Sequence, residues 1–287
     1  EVAKIAVEDS IINIFTIPKN EHSFEQEYQK MVLHILHSPQ HGYMGVKFWL
    51  LDQPFISQSL RKFIDVINLD PKLDGNIELV KYEWPPWLRP QRFLERRMDA
   101  YKILFLDLLF PQSVSRIIYM DPSISQLPDP FKLNEKVKTK LPFAMYKMVG
   151  HGYWETRYWA QRLGDRNLKF HSVHPAFVIN LQNLRAYYGG NKLRIHYQRL
   201  SADVLSLGKI DQDLINDAQE EVPIRTLSSS TIVFLNVKNQ DSVDAWLKNF
   251  EEIAVNSETA TTTSTSANPE NAQENAKETQ DFMHDEL

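Results

Sequence analysis

The chain has 287 residues, 43% of them hydrophobic and 24% charged, and it contains no cysteine. That is enough apolar material for an α/β domain of about 250 residues, and it leaves no disulfide framework to stabilise a small scaffold. The net charge of −5 is unevenly placed: from Asn256 onward the acidic residues face Lys277 alone, so residues 1–255 are close to neutral. A nucleic-acid surface needs a concentrated basic face, and a nearly neutral body argues against one.

Lys4–Ile17 reads as a strand, and Ser23–Pro39 as a helix with Phe24, Tyr28, Val32 and Ile35 close to helical spacing. Val46–Asp52 is a strand and Ser57–Asp70 a helix. Ile77–Trp87 is a strand stopped by Pro85 and Pro86, which cannot continue a ladder. Phe93–Pro111 reads as one long helix. It holds the longest apolar run, "YKILFLDLLF", which is too short and too charged to span a membrane. Arg116–Asp121 is a strand, and His174–Tyr188 a strand followed by a helix. Such alternation implies an α/β domain, residues 1–255, with a mostly parallel sheet and helices on both faces. Ligands of such sheets sit beyond the carboxyl ends of the strands, and Asp121 lies at one. Trp84 and Trp87 read as core side chains rather than sugar-stacking platforms.

Residues 256–283 are rich in Thr, Ser, Asn, Ala and Glu and poor in large apolar side chains, so they read as a disordered tether. Residues 284–287 spell HDEL, a receptor-read address for the lumen of the endoplasmic reticulum that implies an HDEL receptor as partner. The chain begins at Glu1 with no charged-then-apolar leader, and reads as the C-terminal piece of a longer protein.

Two short stretches carry candidate chemistry. "RIIYMDPS" ends an apolar strand on Asp121, with Ser123 two residues on; by itself "DPS" is an ordinary turn. Asp211-Gln212-Asp213 groups two carboxylates and an amide; by itself it is an acidic helix start. These stretches belong to a collinear series: "INIFTI" at Ile12, "VKFWLLD" at Val46, "KYEWPPWL" at Lys81, "YKILFLDLLFP" at Tyr101, "RIIYMD" at Arg116, "GYWETRYWAQRL" at Gly152, "YQRLSADVLSLGKIDQDL" at Tyr197 and "VPIRTL" at Val222. The series resembles the glucosyltransferase domain of the UDP-glucose:glycoprotein glucosyltransferase family over roughly residues 10–228.

The resemblance implies a GT-A glycosyltransferase fold with a Rossmann-like sheet. It implies a retaining hexosyl transfer from UDP-glucose, with a divalent cation (Mn2+ or Ca2+) bridging the diphosphate. Asp121 and Ser123 stand where the family has an Asp-Ala-Asp metal motif. Asp211, Gln212 and Asp213 stand at the family's sugar-facing catalytic positions, Lys102 near the diphosphate or the chelating aspartate, and His174 against the sugar. The acceptor is then a glycoprotein or a glucan, and upstream folding-sensor domains are expected in the same chain. With HDEL, the form typical of fungi, the resemblance leans to the fungal branch linked to cell-wall β-1,6-glucan.

Several positions depart from the family pattern. Ser123 replaces a carboxylate, Ile215 a proline and Asn180 an aspartate, and Ser228–Asn236 replaces a tryptophan- and cysteine-bearing segment. Those changes keep a second reading open, a catalytically silent relative that binds client or partner proteins.

Overall fold

In the computed structural model, the apolar runs of the sequence become strands of one eight-stranded sheet. The structure describes residues 11–250 apart from 22, 39–40, 42–43, 74, 149–167, 204–205, 229–230, 236–242 and 249. The readings for residues 1–10, for "GYWETRYWAQRL", for the tether and for HDEL lie outside the described residues. Two compact units are present, Glu1–Gln240 and Asp241–Leu287. In the second, residues 243–248 are helical and Trp246 stacks on Phe250 with ring centroids 5.7 Å apart.

The first unit runs β1 Ile11–Thr16, α1 Phe24–Leu36, β2 Gly45–Leu51, α2 Gln58–Leu69, β3 Gly75–Val80, α3 Leu94–Leu104, α4 Leu106–Leu109, β4 Arg116–Met120, α5 Pro130–Lys136 and β5 Phe143–Lys147. It continues with β6 His171–Ser172, β7 Ala176–Asn180, α6 Leu181–Ala186, α7 Gly189–Leu200, α8 Ile210–Asp217 and β8 Ile224–Leu227. Strand order is β3-β2-β1-β4-β7-β5-β6, with β8 paired to β5. β1, β2, β3 and β4 pair in parallel, as do β5 and β8. β7 runs antiparallel to both β4 and β5, so the sheet is mixed rather than uniformly wound.

Local chemistry accounts for the element ends. Ser57 caps α2 by accepting from the Leu60 N–H at 3.0 Å, while its own hydroxyl donates to Glu25 at 2.5 Å. Asn180, at the position where the family pattern has aspartate, caps α6 by accepting from the Asn183 N–H at 2.9 Å. β3 stops at Val80, earlier than the prolines alone suggest, and the following chain lays Trp84 against Tyr101, Phe105 and Tyr197. Trp87 departs from the core reading, being 62% exposed.

The predicted long helix Phe93–Pro111 is broken. α3 ends at Leu104, Phe105 takes φ −122°, and a single turn, α4, follows. The break leaves Phe105 buried against Tyr82 and Trp84 and turns Asp107 toward Arg194 of α7. Phe15, Trp49, Phe110, Tyr119 and Phe177 form an aromatic core across β1, β2, β4 and β7. These edge-to-face and stacked contacts add to the area they bury.

Because β1 and β4 are parallel neighbours, with Ile14 opposite Ile118 and Phe15 opposite Tyr119, their carboxyl ends emerge side by side. β6 and β7 act as one interrupted strand against β5. Lys147 and Tyr146 pair with His171 and Ser172, Ala144 and Phe143 with Val178 and Ile179, and Val173–Pro175 loop out between. The His174–Pro175 peptide in that loop is cis. The loop returns to β4 through the Asp121 N–H, which donates to the Pro175 carbonyl at 3.2 Å.

Candidate functional site

Asp121 follows the last residue of β4 and is 2% exposed. Its Oδ1 accepts from the Ser123 N–H at 3.1 Å and from the Ser123 hydroxyl at 2.6 Å. His174 Nδ1 lies 3.3 Å from Oδ2. Of the four residues expected around the donor, Asp121, Ser123 and His174 lie together, while Lys102 stands in a separate cluster.

The sequence reading did not single out Lys19. Three residues beyond β1, its Nζ lies 3.2 Å from Asp121 Oδ1, 3.1 Å from Oδ2 and 2.7 Å from Ser123 Oγ. The ammonium therefore rests in a cradle of one carboxylate and one hydroxyl. Burial alone would raise the Asp121 pKa. The hydrogen bonds from His174 and Ser123, with the charge of Lys19, outweigh it and hold the carboxyl well below the usual carboxylate range.

A divalent cation at this place needs charged oxygens with open positions. Asp121 supplies one carboxylate, and both its oxygens are already turned to Lys19, Ser123 and His174. Among the described residues, no group of three or more His, Cys, Asp or Glu could hold a metal ion. Asp121 and Ser123, the residues expected to ligate Mn2+ or Ca2+, thus offer one carboxylate and one hydroxyl, with the ammonium of Lys19 against both.

The second cluster is buried between α3 and α8. Lys102, on α3, and Asp211, in the first turn of α8, are each 3% exposed and share a short charge-assisted hydrogen bond. Lys102 Nζ also lies 3.7 Å from Asp99 Oδ1 and 5.3 Å from the Tyr119 ring centroid. Burial alone would lower the Lys102 pKa, but Tyr119, Asp211 and Asp99 carry it above its ordinary value. Half-buried Asp99 is pushed up to about 6, by loss of solvent and by the neighbouring Asp211.

Gln212 and Asp213 hold scaffold rather than open space. The Gln212 amide donates to the His171 carbonyl and its Oε1 accepts from the Val173 N–H at 3.1 Å. Asn216 pairs with both backbone groups of His171, at 2.8 and 2.9 Å. Asp213, fully buried, accepts from the Lys209 N–H at 2.8 Å and closes the start of α8. This helix therefore clamps β6 and fixes the loop that carries His174. Ile215, where the family pattern has proline, is fully buried in the core. In the segment Ser228–Asn236, the Asp129 N–H donates to the Val233 carbonyl at 2.7 Å and Pro128 bridges to Phe234.

A cavity of about 160 Å³ lies between the two clusters, lined by Ile17, Lys19, Asn20, Met98, Lys102 and Tyr119 among others. It stands at the carboxyl ends of β1 and β4, where α/β sheets place ligands. Its wall carries Lys19 and Lys102 together with Glu21, Glu95 and Asp99. Lys19 and Asp99 are the residues the sequence reading missed. The signal for Lys19 was a lysine just past a strand parallel to β4, at the shared carboxyl edge.

The model of the family described as Glucosyltransferase 24 matches residues 12–277. The chain is 45% identical over 247 residues to killer toxin-resistance protein 5 of Saccharomyces cerevisiae, covering 86% of this chain and 18% of that protein. It is 35% identical over 227 residues to UDP-glucose:glycoprotein glucosyltransferase 1 of Homo sapiens, covering 76% of this chain and 14% of that one. The chain thus spans less than a fifth of the length of these relatives. Among solved structures, the galactosyltransferase LgtC in complex with donor and acceptor sugar analogues superposes with a TM-score of 0.53 at 15% identity, over 76% of this chain and 74% of that chain. The bifunctional glycosyltransferase WbbM gives 0.57 at 12% identity, over 76% and 39%. These likenesses establish the GT-A fold.

Proposed function

The chain belongs to the Glucosyltransferase 24 family, and from that membership we propose that it binds UDP-glucose and transfers the glucose, with retention of configuration, to a glycoprotein or glucan hydroxyl. The observation that carries the reading is the cavity between Lys19 and Lys102, two cations converging where β1 and β4 end. In the transfer, the bond from glucose C1 to the diphosphate oxygen breaks and its electron pair leaves with UDP. The acceptor oxygen forms the new bond to C1, and its proton passes to the departing diphosphate. Lys102 and Lys19 stabilise the negative charge that builds on UDP. Asp211, held behind the cavity wall by Lys102, is the carboxylate this reading assigns to the sugar. Gln212 and Asp213 position it and the His174 loop.

The family resemblance of the sequence motifs, the HDEL tetrapeptide and the length of the matched proteins support the remainder of the proposal: residence in the lumen of the endoplasmic reticulum, retrieval by the HDEL receptor, upstream folding-sensor domains in the same chain, and a role in cell-wall β-1,6-glucan synthesis. The ion pair that closes Asp121 favours one second reading, a partner-binding relative without turnover.

Transfer of labelled glucose decides between them. UDP-glucose should bind, and Asp211→Asn should leave UDP affinity within about threefold while slowing transfer by about 10²–10³-fold, the scale of one lost transition-state contact. A wild-type chain that neither binds UDP-glucose nor releases UDP leaves the partner-binding reading.

A further inference from the structure

We propose that Lys19 is the resident cation of this site, neutralising the donor diphosphate itself, so that nucleotide binding by this chain requires no divalent metal. The inference rests on the donor-binding reading above and deepens it.

The cradle is built from three elements that meet at one edge of the sheet. The loop after β1 brings Lys19, the end of β4 brings Asp121, and the turn that follows brings Ser123. Asp121 is held from every side. Its backbone N–H is tied to Pro175, Oδ1 accepts two hydrogen bonds from Ser123, and Oδ2 faces His174. A carboxylate so fixed and 2% exposed is a rigid anchor for one cation. The cation it holds is an ammonium bound to the chain, which loses no translational freedom on seating and is present at unit stoichiometry.

Charge arithmetic favours the ammonium over a dication. Asp121 and Lys19 together are neutral, so an arriving dication finds no net negative charge and has to expel the lysine first. A second carboxylate at position 123 would make the group net negative and restore the attraction. Ser123 instead supplies a neutral oxygen that accepts from Lys19 at 2.7 Å while its own proton goes to Asp121 at 2.6 Å. Serine at 123 and lysine at 19 thus form a matched pair.

The ammonium also has capacity left. Its three near oxygens belong to one carboxylate and one hydroxyl, and the side chain is 31% exposed and lines the cavity. The exposed side of the ammonium and its charge are available to a diphosphate. Lys102 lines the same cavity but is 3% exposed and paired with Asp211, and Glu21, Glu95 and Asp99 share the wall, so Lys19 is the ammonium placed to meet a diphosphate there.

Calorimetric titration of UDP into this chain, in EDTA and in MnCl2, tests the proposal, with Lys19→Met and Lys19→Arg as variants and thermal melts to confirm folding. Wild type should bind UDP in EDTA with an affinity within about twofold of that in Mn2+. Lys19→Met should lose about tenfold or more in EDTA, the scale of one charge-assisted contact, and should become Mn2+-responsive because Asp121 is released. Lys19→Arg should keep metal-independent binding. Wild-type binding that vanishes in EDTA and returns with Mn2+ overturns the Lys19 assignment and leaves the donor reading intact. Absence of UDP binding under every condition overturns both.

Discussion

Replacing Lys102 with methionine should cost this chain about 3–5 kcal/mol of stability, the range for removing one partner of a buried ion pair. Methionine keeps most of the volume, so the loss isolates the charge. Lys102 and Asp211 are each 3% exposed, and without the ammonium Asp211 keeps a buried carboxylate beside half-buried Asp99. The expected observation is a lower urea midpoint with an unchanged slope, since the surface exposed on unfolding is the same. A Lys102→Met/Asp211→Leu double variant should recover much of the stability, because it removes both charges together, and should remain inactive in transfer. A loss below about 1 kcal/mol would place the pair in solvent-like surroundings and contradict the burial on which its role depends.

Gly190→Ala should destabilise by about 2–4 kcal/mol, against the ordinary trend. In a helix that substitution usually stabilises by roughly 0.5–1 kcal/mol. Here a Cβ on Gly190 would fall 2.1–2.3 Å from the carboxyl atoms of Asp107. A lone carboxyl could swing away, but this one forms a two-pronged pair with Arg194 at 2.8 and 2.9 Å. Arg194, 4% exposed, also donates to the Leu104 carbonyl at 2.7 Å, the last residue of α3. The methyl group therefore separates α7 from the α3–α4 break, the element that carries Lys102. Chemical denaturation of Gly190→Ala and Gly190→Ser should show similar losses. A stability equal to or above wild type would mean that Asp107 moves freely and that the pair does not lock these helices.

Much of this architecture was legible in the residues. Apolar runs such as Ile117–Met120 give buried strands, and the strand–helix alternation gives the α/β layers. Asp121 lay at the carboxyl end of a strand, and it and the Asp211 turn became candidates through the family resemblance. Other features were not legible, for physical reasons. The break at Phe105 lies inside a run with unbroken helical pattern, and only the tertiary burial of Phe105 and the Asp107–Arg194 pair select it. The reversed direction of β7 follows from long-range pairing with β4 that periodicity does not encode. Trp87 looked like core because tryptophan is usually buried, yet the prolines that end the strand turn it outward. Gln212 and Asp213 read as sugar-facing only through the family resemblance, and their hydrogen bonds to His171, Val173 and Lys209 were not visible in the sequence. Lys19 escaped notice because a lysine 102 positions from Asp121 is an ordinary surface residue until β1 and β4 are known to be parallel neighbours.

A crystal structure of this chain grown with UDP and MnCl2 together gives the metal every opportunity to bind. The account predicts UDP in the cavity bounded by Lys19, Met98, Lys102 and Tyr119, with a diphosphate oxygen within hydrogen-bond reach of Lys19 Nζ and Lys19 still on Asp121. UDP bound elsewhere, or Mn2+ seated on Asp121 with Lys19 displaced, would contradict it.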